Sequence, residues 1–319
     1  MEEFRTHSLE LPAAEAGSRL DQALARLLPQ YSRARIQSWI EAGAVRVDGH
    51  APRARDRVLG GERVVLEARF EVRDGVEPQS LPLTVIFEDP ALLVIDKPAG
   101  LVVHPGAGVR DRTLQNALLA REPALARVPR AGIVHRLDKD TSGLLLVART
   151  PEVHTVLVAQ LAARAIGREY LAVCSGVMTG GGTIDRPIGR HLGLRTRMAV
   201  RAGGREAVTH YRVVQRFRAH TLVRVSLGTG RTHQIRVHLA HAGYPVVGDP
   251  VYGGRRRLPR GASAPLVELL QAFPRQALHA ARLTLAHPLD GRALVVESSL
   301  PADIQALVAA LERDRQEKQ

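Results

Sequence analysis

The chain contains little cysteine and few aromatic residues. Its 319 residues include one cysteine, Cys174, with five Phe, five Tyr and one Trp. A single cysteine excludes an intrachain disulfide and any zinc site built from several cysteines. No apolar run approaches the length of a membrane span. The first residues also lack the basic-then-apolar order of a signal peptide. We therefore expect a soluble, cytoplasmic protein that does not bind a membrane.

Lysine is also scarce, although the chain is strongly basic. The formal net charge is +13, from 45 Lys and Arg against 32 Asp and Glu. Only Lys97, Lys139 and Lys318 are lysines. A compositional bias accounts for arginine in place of lysine, but it does not account for the excess of basic residues over acidic ones. Such an excess is typical of a protein with a polyanionic partner, and nucleic acid is the usual one.

Residues 12–70 are predicted to form a small α/β unit. Ser18 and Ser32 each precede a short helical pattern as potential N-caps. The segment "AVRVDGH" then alternates into a turn at Asp48-Gly49. The unit is basic, which suits contact with phosphates, although a solvated surface without a partner is the alternative. The arginines expected to bind RNA are Arg33, Arg35, Arg53, Arg55 and Arg57.

The remainder of the chain is predicted to form a second, larger domain. Residues 71–80 are polar and contain Gly and Pro, which is typical of a linker. Strand-like runs outnumber helices across residues 81–305. Helices are expected at 116–125 and after Thr150, which can act as an N-cap. A last helix is expected to begin after Pro301 and to fray into a charged tail, residues 306–319. The overall fold class is therefore α+β.

The stretch "HRLDKDTSGLLL" places one acid, Asp138, between two cations. A lone Asp at a turn is most often a cap or turn residue. Here Arg136 and Lys139 would stabilise its negative charge. The apolar run that follows, residues 144–148, predicts a buried strand able to hold the turn rigidly. From these features alone, a structural and a catalytic Asp138 both remain open.

The same stretch closely resembles the signature of the RluA/RluD-type pseudouridine synthase family. Other family motifs follow in order: "DKPAGLVVHPG" before it, then "REYLAVCSG", "GRTHQIRVHLAHAGYPVVGDPVYG" and "ALHAARLTLAHP". The N-terminal unit resembles the S4 RNA-binding module. The resemblance implies a mixed, mainly antiparallel sheet with a central cleft. It also implies 23S ribosomal RNA or a pre-ribosomal large subunit as partner, and a monomer without an obligatory protein partner.

The resemblance also assigns roles to particular residues. It implies that Asp138 is the catalytic acid and that Arg236 is its partner. Tyr170 would lie against the target base, while Arg136 would enter the RNA stack from which that base is flipped. Leu278 would pack against the flipped base.

Cofactors and metals are not expected. The isomerisation of uridine to pseudouridine oxidises nothing and imports no group, so it requires no cofactor. His233 and His238 are five residues apart, whereas helical zinc sites usually use a spacing of four with an acid between. These histidines are therefore expected to be structural or to contact RNA.

Two other classes of function fit parts of the sequence. An RNA-cleaving hydrolase would usually require clustered carboxylates for metal ions or a pair of catalytic histidines. The strongest motif here has one central acid among cations. A non-catalytic S4-type RNA-binding protein would leave the large domain and the "HRLD" stretch without a role.

Overall fold

The N-terminal unit is a three-stranded antiparallel sheet with two helices. The computed structural model describes residues 3–31, 33–70, 76–106, 108–194, 196–254 and 258–317. Strands β1 (Glu3–Glu10), β2 (Val45–Val47) and β3 (Arg63–Phe70) pair in the order β1-β3-β2. Helices α1 (Leu20–Leu27) and α2 (Arg33–Glu41) cover the sheet, and the unit has an apolar core of its own.

Two details of this unit differ from the prediction. Strand β1 pairs with β3 along its whole length, so the expected start at residue 12 is too late. Arg19, not Ser18, is the N-cap of α1, and it makes no capping bond. The Ser18 hydroxyl instead accepts a hydrogen bond from Arg26 Nη2 at 2.8 Å. The predicted cap Ser32 lies outside the described residues.

A buried carboxylate joins α1 to α2. The side chain of Asp21 is fully buried and accepts hydrogen bonds from Arg19 Nε at 3.0 Å and Arg33 Nε at 2.9 Å. Gln37 on α2 donates to the same carboxylate. A buried carboxylate is stable when it is paired and hydrogen-bonded in this way. Arg33, predicted to bind RNA, is therefore partly occupied in holding the two helices together.

The large domain is built on one mixed, mainly antiparallel sheet, as the resemblance implied. Its strands are β4 (Thr84–Glu88), β5 (Leu92–Lys97), β6 (Ser142–Ala148), β7 (Gly167–Ser175), β8 (Gly182–Asp185), β11 (Val208–Arg216), β12 (His220–Leu227), β13 (Leu278–Ala286) and β14 (Ala293–Glu297). They pair in the order β4-β5-β6-β13-β7-β12-β11-β8, and β14 pairs with the second half of β13. Among the described strand pairs, only β6 and β13 run parallel. No helix in the described ranges is long and apolar enough to cross a bilayer. Strands β9 (Ile188–Arg190) and β10 (Met198–Val200) form a separate antiparallel pair. The helices of this domain are α3 (Leu114–Arg121), α4 (Pro151–Ala162), α5 (Gln234–His241), α6 (Ala264–Ala272) and α7 (Ala302–Glu317).

Strand β6 is buried at every position, which confirms the sequence prediction. Successive side chains of a strand point to opposite faces of the sheet. Leu145 and Val147 accordingly join the main core, while Leu144 and Leu146 join a second core beneath α4. Because both faces are covered, the strand is a rigid support for the loop that precedes it.

Gly143 allows β6 to approach β13 closely. Its φ is +110°, and a Cβ at this position would lie 2.3 Å from the carbonyl oxygen of Ala280. Gly143 pairs with Ala280, which in turn pairs with Tyr170 on β7. The glycine therefore lets three adjacent strands bring the loop containing Asp138 next to Tyr170.

A fully buried lysine ties this loop to the preceding motif. Lys97 Nζ donates to the carbonyl oxygens of Pro98 at 2.7 Å, Leu101 at 2.9 Å and Lys139 at 2.8 Å. Burial lowers the pKa of Lys97 to about 7, although the charge of Asp140 opposes the shift. Three carbonyls around one atom suit a compact amine and not a planar guanidinium. This geometry explains why an arginine-rich chain has lysine here.

The helix predicted at 116–125 begins and ends earlier than expected. Thr113 caps α3 and exchanges hydrogen bonds with Asn116, so both belong to a capping box. The helix ends at Arg121, two residues before Pro123. The predicted N-cap of α4, Thr150, is confirmed, because its hydroxyl accepts a hydrogen bond from the Val153 backbone N–H at 3.3 Å.

The predicted linker and tail both differ from the structure. Residues 71–75 lie outside the described residues, but the next residues bind the large domain through the Asn116 side chain, which donates to Glu77 O at 2.7 Å. At the other end, α7 continues through the predicted tail to Glu317. Leu307 and Leu311 are buried in the main core. The start of the helix after Pro301 is as predicted, but the helix does not fray at residue 306.

Candidate active site

The five residues assigned to the active site line one cleft. The cleft has a volume of about 790 Å³ and lies where β6 and β13 begin. Its lining includes Arg136, Asp138, Tyr170, Arg236 and Leu278. They come from four separate stretches of the chain, which the fold brings together.

Asp138 and Arg236 are directly hydrogen-bonded. Arg236 Nη1 lies 2.9 Å from Asp138 Oδ2, and the Arg236 side chain is only 5% exposed. The other edge of the guanidinium binds Asp249 in bidentate fashion, with Nε to Oδ2 at 2.7 Å and Nη2 to Oδ1 at 2.8 Å. Arg236 therefore joins an accessible carboxylate to a buried one.

The buried pair is strongly held in its ionised form. Burial alone would raise the pKa of Asp249, but hydrogen bonds and charge from Arg236 hold it below its usual range. The backbone N–H groups of Val251 and Tyr252 contribute further by donating to Asp249 Oδ1. Burial alone would lower the pKa of Arg236, but the two carboxylates raise it. Asp249 thus fixes the guanidinium in the orientation that reaches Asp138.

The first turn of α5 places two side chains beside Asp138. His233, the N-cap, has a left-handed backbone with φ +56°, and Arg236 follows three residues later. Gln234 is buried and fixes this turn by accepting from Thr229 Oγ1 and donating to Val208 O. A strained non-glycine conformation persists only where surrounding bonds determine it.

His233 faces the carboxylate oxygen that Arg236 leaves free. Its Nε2 lies 3.9 Å from Asp138 Oδ1. The Tyr252 hydroxyl accepts from the Met198 backbone N–H at 2.9 Å and lies 2.9 Å from His233 Nδ1. The Tyr252 hydroxyl can donate its proton to His233 Nδ1, and in that tautomer the ring proton is on Nε2, which faces Asp138. Burial, together with the charges of Arg236 and Arg136, lowers the pKa of His233, so the ring is neutral at pH 7.

We predict that His233 orients Asp138. His233→Asn tolerates the left-handed backbone but is too short to reach Asp138. We expect its single-turnover rate to fall roughly tenfold, about 1.4 kcal/mol, with little change in RNA affinity. His233→Gln reaches about as far as Nε2 and should recover part of the rate. Equal rates for His233→Asn and the unmodified protein at saturating RNA would show that the histidine is only structural.

The remaining predicted residues form the walls of the cleft. Tyr170 is 6% exposed, and burial raises its pKa, with the Arg168 charge opposing. Leu278, at the first position of β13, is 3% exposed. Arg136 is exposed. An aromatic ring, an apolar side chain and an accessible guanidinium around one carboxylate suit an uncharged planar ring attached to an anionic chain.

The cleft carries a large excess of positive charge. Among the described residues, Asp138 is the one acid in its lining. Such a lining favours an anionic ligand and suits a nucleic acid. The arginines in the lining are Arg130, Arg136, Arg164, Arg168, Arg231 and Arg236.

The other predicted RNA-binding arginines lie on the N-terminal unit, outside this cleft. Arg53, Arg55 and Arg57 are exposed. Arg57 also donates to Gly17 O at 2.5 Å. Arg35 lies with its Cζ 5.9 Å from the centre of the Trp39 ring. The unit therefore presents a second basic surface.

Sequence reasoning missed Asp249 and Tyr252. Their only local signal is an acid and an aromatic residue within the glycine- and proline-rich "GDPVYG". His238, expected to be structural or to contact RNA, is buried between Thr209 Oγ1 at 2.8 Å and Arg186 O at 2.9 Å. The described ranges hold no group of three or more His, Cys, Asp or Glu residues suited to a metal ion.

Comparisons with known proteins identify the family of this chain. The profile of the RNA pseudouridylate synthase family matches residues 91–241, and that of the S4 domain matches 18–64. The ribosomal large subunit pseudouridine synthase D of Pseudomonas aeruginosa is 55% identical over 99% of this chain and 99% of its own length. The protein of that name from Escherichia coli strain K12 is 52% identical over 95% of this chain and 93% of its own length.

Solved structures share the fold of the large domain. Human RNA pseudouridylate synthase domain containing 4 aligns with a TM-score of 0.57 and 25% identity, covering 72% of this chain and 93% of its own. The N-terminal S4 domain, the cleft and the near-full-length relatives all indicate the same family. This chain therefore belongs to the RNA pseudouridine synthase family.

Proposed function

We propose that this enzyme isomerises uridines of large-subunit ribosomal RNA, with Asp138 as its catalytic residue and Arg236 and Tyr170 as its closest partners. The names of its relatives specify the ribosomal large subunit, and we propose 23S ribosomal RNA or a pre-ribosomal large subunit as the substrate. We further propose that it acts in the cytoplasm as a monomer without an obligatory protein partner. The observation that carries the catalytic assignment is the 2.9 Å bond between Arg236 and Asp138 in a cleft with no other acid among its described lining residues.

The reaction requires the target nucleotide to leave its stack. The N1–C1′ bond breaks, the uracil turns, and C5 bonds to C1′ and loses its proton to the solvent while N1 gains one. Tyr170 and Leu278 offer faces for the flipped ring. Arg136, exposed at the cleft, can fill the gap that the base leaves in the RNA. The side chains of this protein can therefore flip the target nucleotide out of its stack and orient its base without a cofactor.

Asp138 has one oxygen available for chemistry. Arg236 binds Oδ2, so Oδ1, facing His233, is the oxygen directed at the substrate. Attack on the base or sugar and removal of the 2′ proton both require an ionised carboxylate. The charged hydrogen bond from Arg236 favours that form in a site that a flipped base closes to water. Both chemical routes stay compatible with this arrangement.

Release of the C5 proton provides a direct test. Large-subunit RNA labelled with tritium at uracil C5 should lose tritium to water in the presence of the protein alone. Pseudouridine should appear at the same sites without strand breaks. Strand breaks would instead indicate the hydrolase alternative, and binding without tritium release would indicate the non-catalytic alternative.

We predict that the S4 domain contributes phosphate contacts to binding. Arg53→Gln with Arg55→Gln removes two exposed charges from the N-terminal unit. Each lost phosphate contact should make the dependence of log affinity on log salt shallower by about one unit. Arg313→Gln, an exposed arginine on α7, is the control and should leave the slope unchanged. Identical salt slopes for the double variant and the unmodified enzyme would exclude this surface from RNA binding.

A further inference from the structure

Arg168 is a cleft arginine for which the described residues provide no anionic partner. It lies on β7, two residues before Tyr170, and its side chain is half-buried in the cleft lining. Its Nε is buried, and the described part of the chain provides no hydrogen bond to it. Three other cleft arginines have protein partners. Arg164 pairs with Glu206 at 2.6 Å, Arg231 donates to Glu206 O at 3.0 Å, and Arg236 holds two carboxylates.

The strand geometry keeps the neighbouring acid away from Arg168. Glu169 points to the opposite face of β7, where it binds Arg224 at 2.9 Å. On the cleft side, Gly230 leaves the space in which the guanidinium lies. A Cβ at that position would be 2.9 Å from Arg168 Nη1. The fold therefore holds the cation beside Tyr170 without neutralising it.

His135, a titratable residue of the cleft that interacts with Arg168, is uncharged. His135 Nε2 accepts from the Leu146 backbone N–H at 3.0 Å, so the ring is neutral and Nδ1 carries its proton. Burial and then the Arg168 charge lower the pKa of His135 to about 3. Tyr170 is also uncharged at neutral pH, since burial raises its pKa. A partly desolvated cation in such surroundings is costly until an anion arrives.

The substrate contains one type of anion, the phosphodiester. A guanidinium binds phosphate through two parallel hydrogen bonds, and Arg168 shares a strand with the aromatic residue proposed to face the base. Two residues of a strand span about 7 Å, comparable with the reach from a phosphate to its own base. We propose that Arg168 binds the backbone phosphate adjoining the flipped uridine and so sets the depth to which that nucleotide enters the cleft. This proposal rests on the proposed function.

A thermodynamic cycle tests the contact. RNA substrates would carry one methylphosphonate, which removes the phosphate charge, at each of the two linkages flanking the target uridine. In the unmodified enzyme, one of the two substitutions should weaken binding about tenfold. Arg168→Ala should weaken binding of normal RNA by a similar factor. The same methylphosphonate should then weaken RNA binding by Arg168→Ala only slightly, since the contact is already lost in that variant.

Controls separate this contact from general charge and from folding. Arg164→Ala, a cleft arginine with a protein partner, should still respond to the methylphosphonate as the unmodified enzyme does. Arg168→Gln preserves bulk, and Arg168→Lys preserves charge and should keep part of the coupling. If both flanking methylphosphonates weaken RNA binding by Arg168→Ala and Arg168→Gln as much as they weaken binding by the unmodified enzyme, the proposal is wrong. If the unmodified enzyme binds this RNA but forms no pseudouridine in it, the proposed function fails, whatever the cycle shows.

Discussion

Asp138→Asn should abolish pseudouridine formation while leaving RNA binding within about threefold of normal. The asparagine oxygen can still accept from Arg236 Nη1, so the local packing should persist. The substitution removes the one charge able to attack the substrate or abstract its proton. Loss of a positioned base typically costs about 10²–10⁴-fold, and loss of a nucleophile costs more.

The measurement is single-turnover pseudouridine formation at saturating RNA, with affinity determined in parallel. Asp140→Asn is a matched control, since Asp140 lies in the same loop but does not line the cleft. It should retain most of the rate. Turnover by purified Asp138→Asn at more than about one-tenth of the normal rate would contradict a catalytic Asp138.

Arg236→Ala should damage both folding stability and catalysis. The Asp249 side chain is fully buried and would keep only the two backbone N–H donors from Val251 and Tyr252. Removing one partner of a buried ion pair typically costs about 3–5 kcal/mol. Asp138 would lose its partner at the same time, and its carboxylate would be less stable in a closed site. We therefore expect a lower free energy of unfolding and a lower single-turnover rate.

The two effects should respond to pH in opposite directions. In the unmodified protein, the Asp249 pKa lies below the usual 3.8, so its contribution to stability is present above that value and is lost as pH falls through the folded pKa. Without Arg236, burial would raise the Asp249 pKa. The folded variant would then bind the proton more tightly than the unfolded chain, and its stability deficit should shrink as pH falls from 7 towards 5. The rate should instead recover as pH rises, because Asp138 must be ionised.

A second substitution separates the two roles of Arg236. Asp249→Asn in the Arg236→Ala background removes the stranded buried charge and should restore part of the stability. It should not restore the rate, since Asp138 would still lack its partner. Arg236→Lys should keep some activity, because the charge remains while the fork that reaches both carboxylates is lost. Full recovery of the rate in the double variant would show that Arg236 acts only through folding.

Local sequence patterns predicted the features that depend on neighbouring residues. Thr150 was recognised as a cap because its bond closes within three residues. Strand β6 was recognised as buried because its whole run is apolar. The last helix was predicted to begin after Pro301, and α7 does begin there, but the charged tail was wrong because α7 continues to Glu317. The burial of Leu307 and Leu311 depends on distant parts of the core. The N-terminal boundary was also wrong, because β1 is defined only by its pairing with β3 some 60 residues later.

By itself, the sequence indicated which side chains to propose for the reaction. Asp138, Tyr170 and Arg236 sit in motifs recognisable one stretch at a time, and the excess of arginine indicated an anionic partner. Only the tertiary structure decided how these groups are paired. The parallel contact between β6 and β13, permitted by Gly143, sets the distance from the Asp138 loop to Tyr170. Asp249 binds and orients Arg236, whereas the described residues provide no hydrogen-bond partner for Arg168 Nε. Pairings of this kind depend on strand register and on close packing between segments remote in sequence, and no local pattern encodes them.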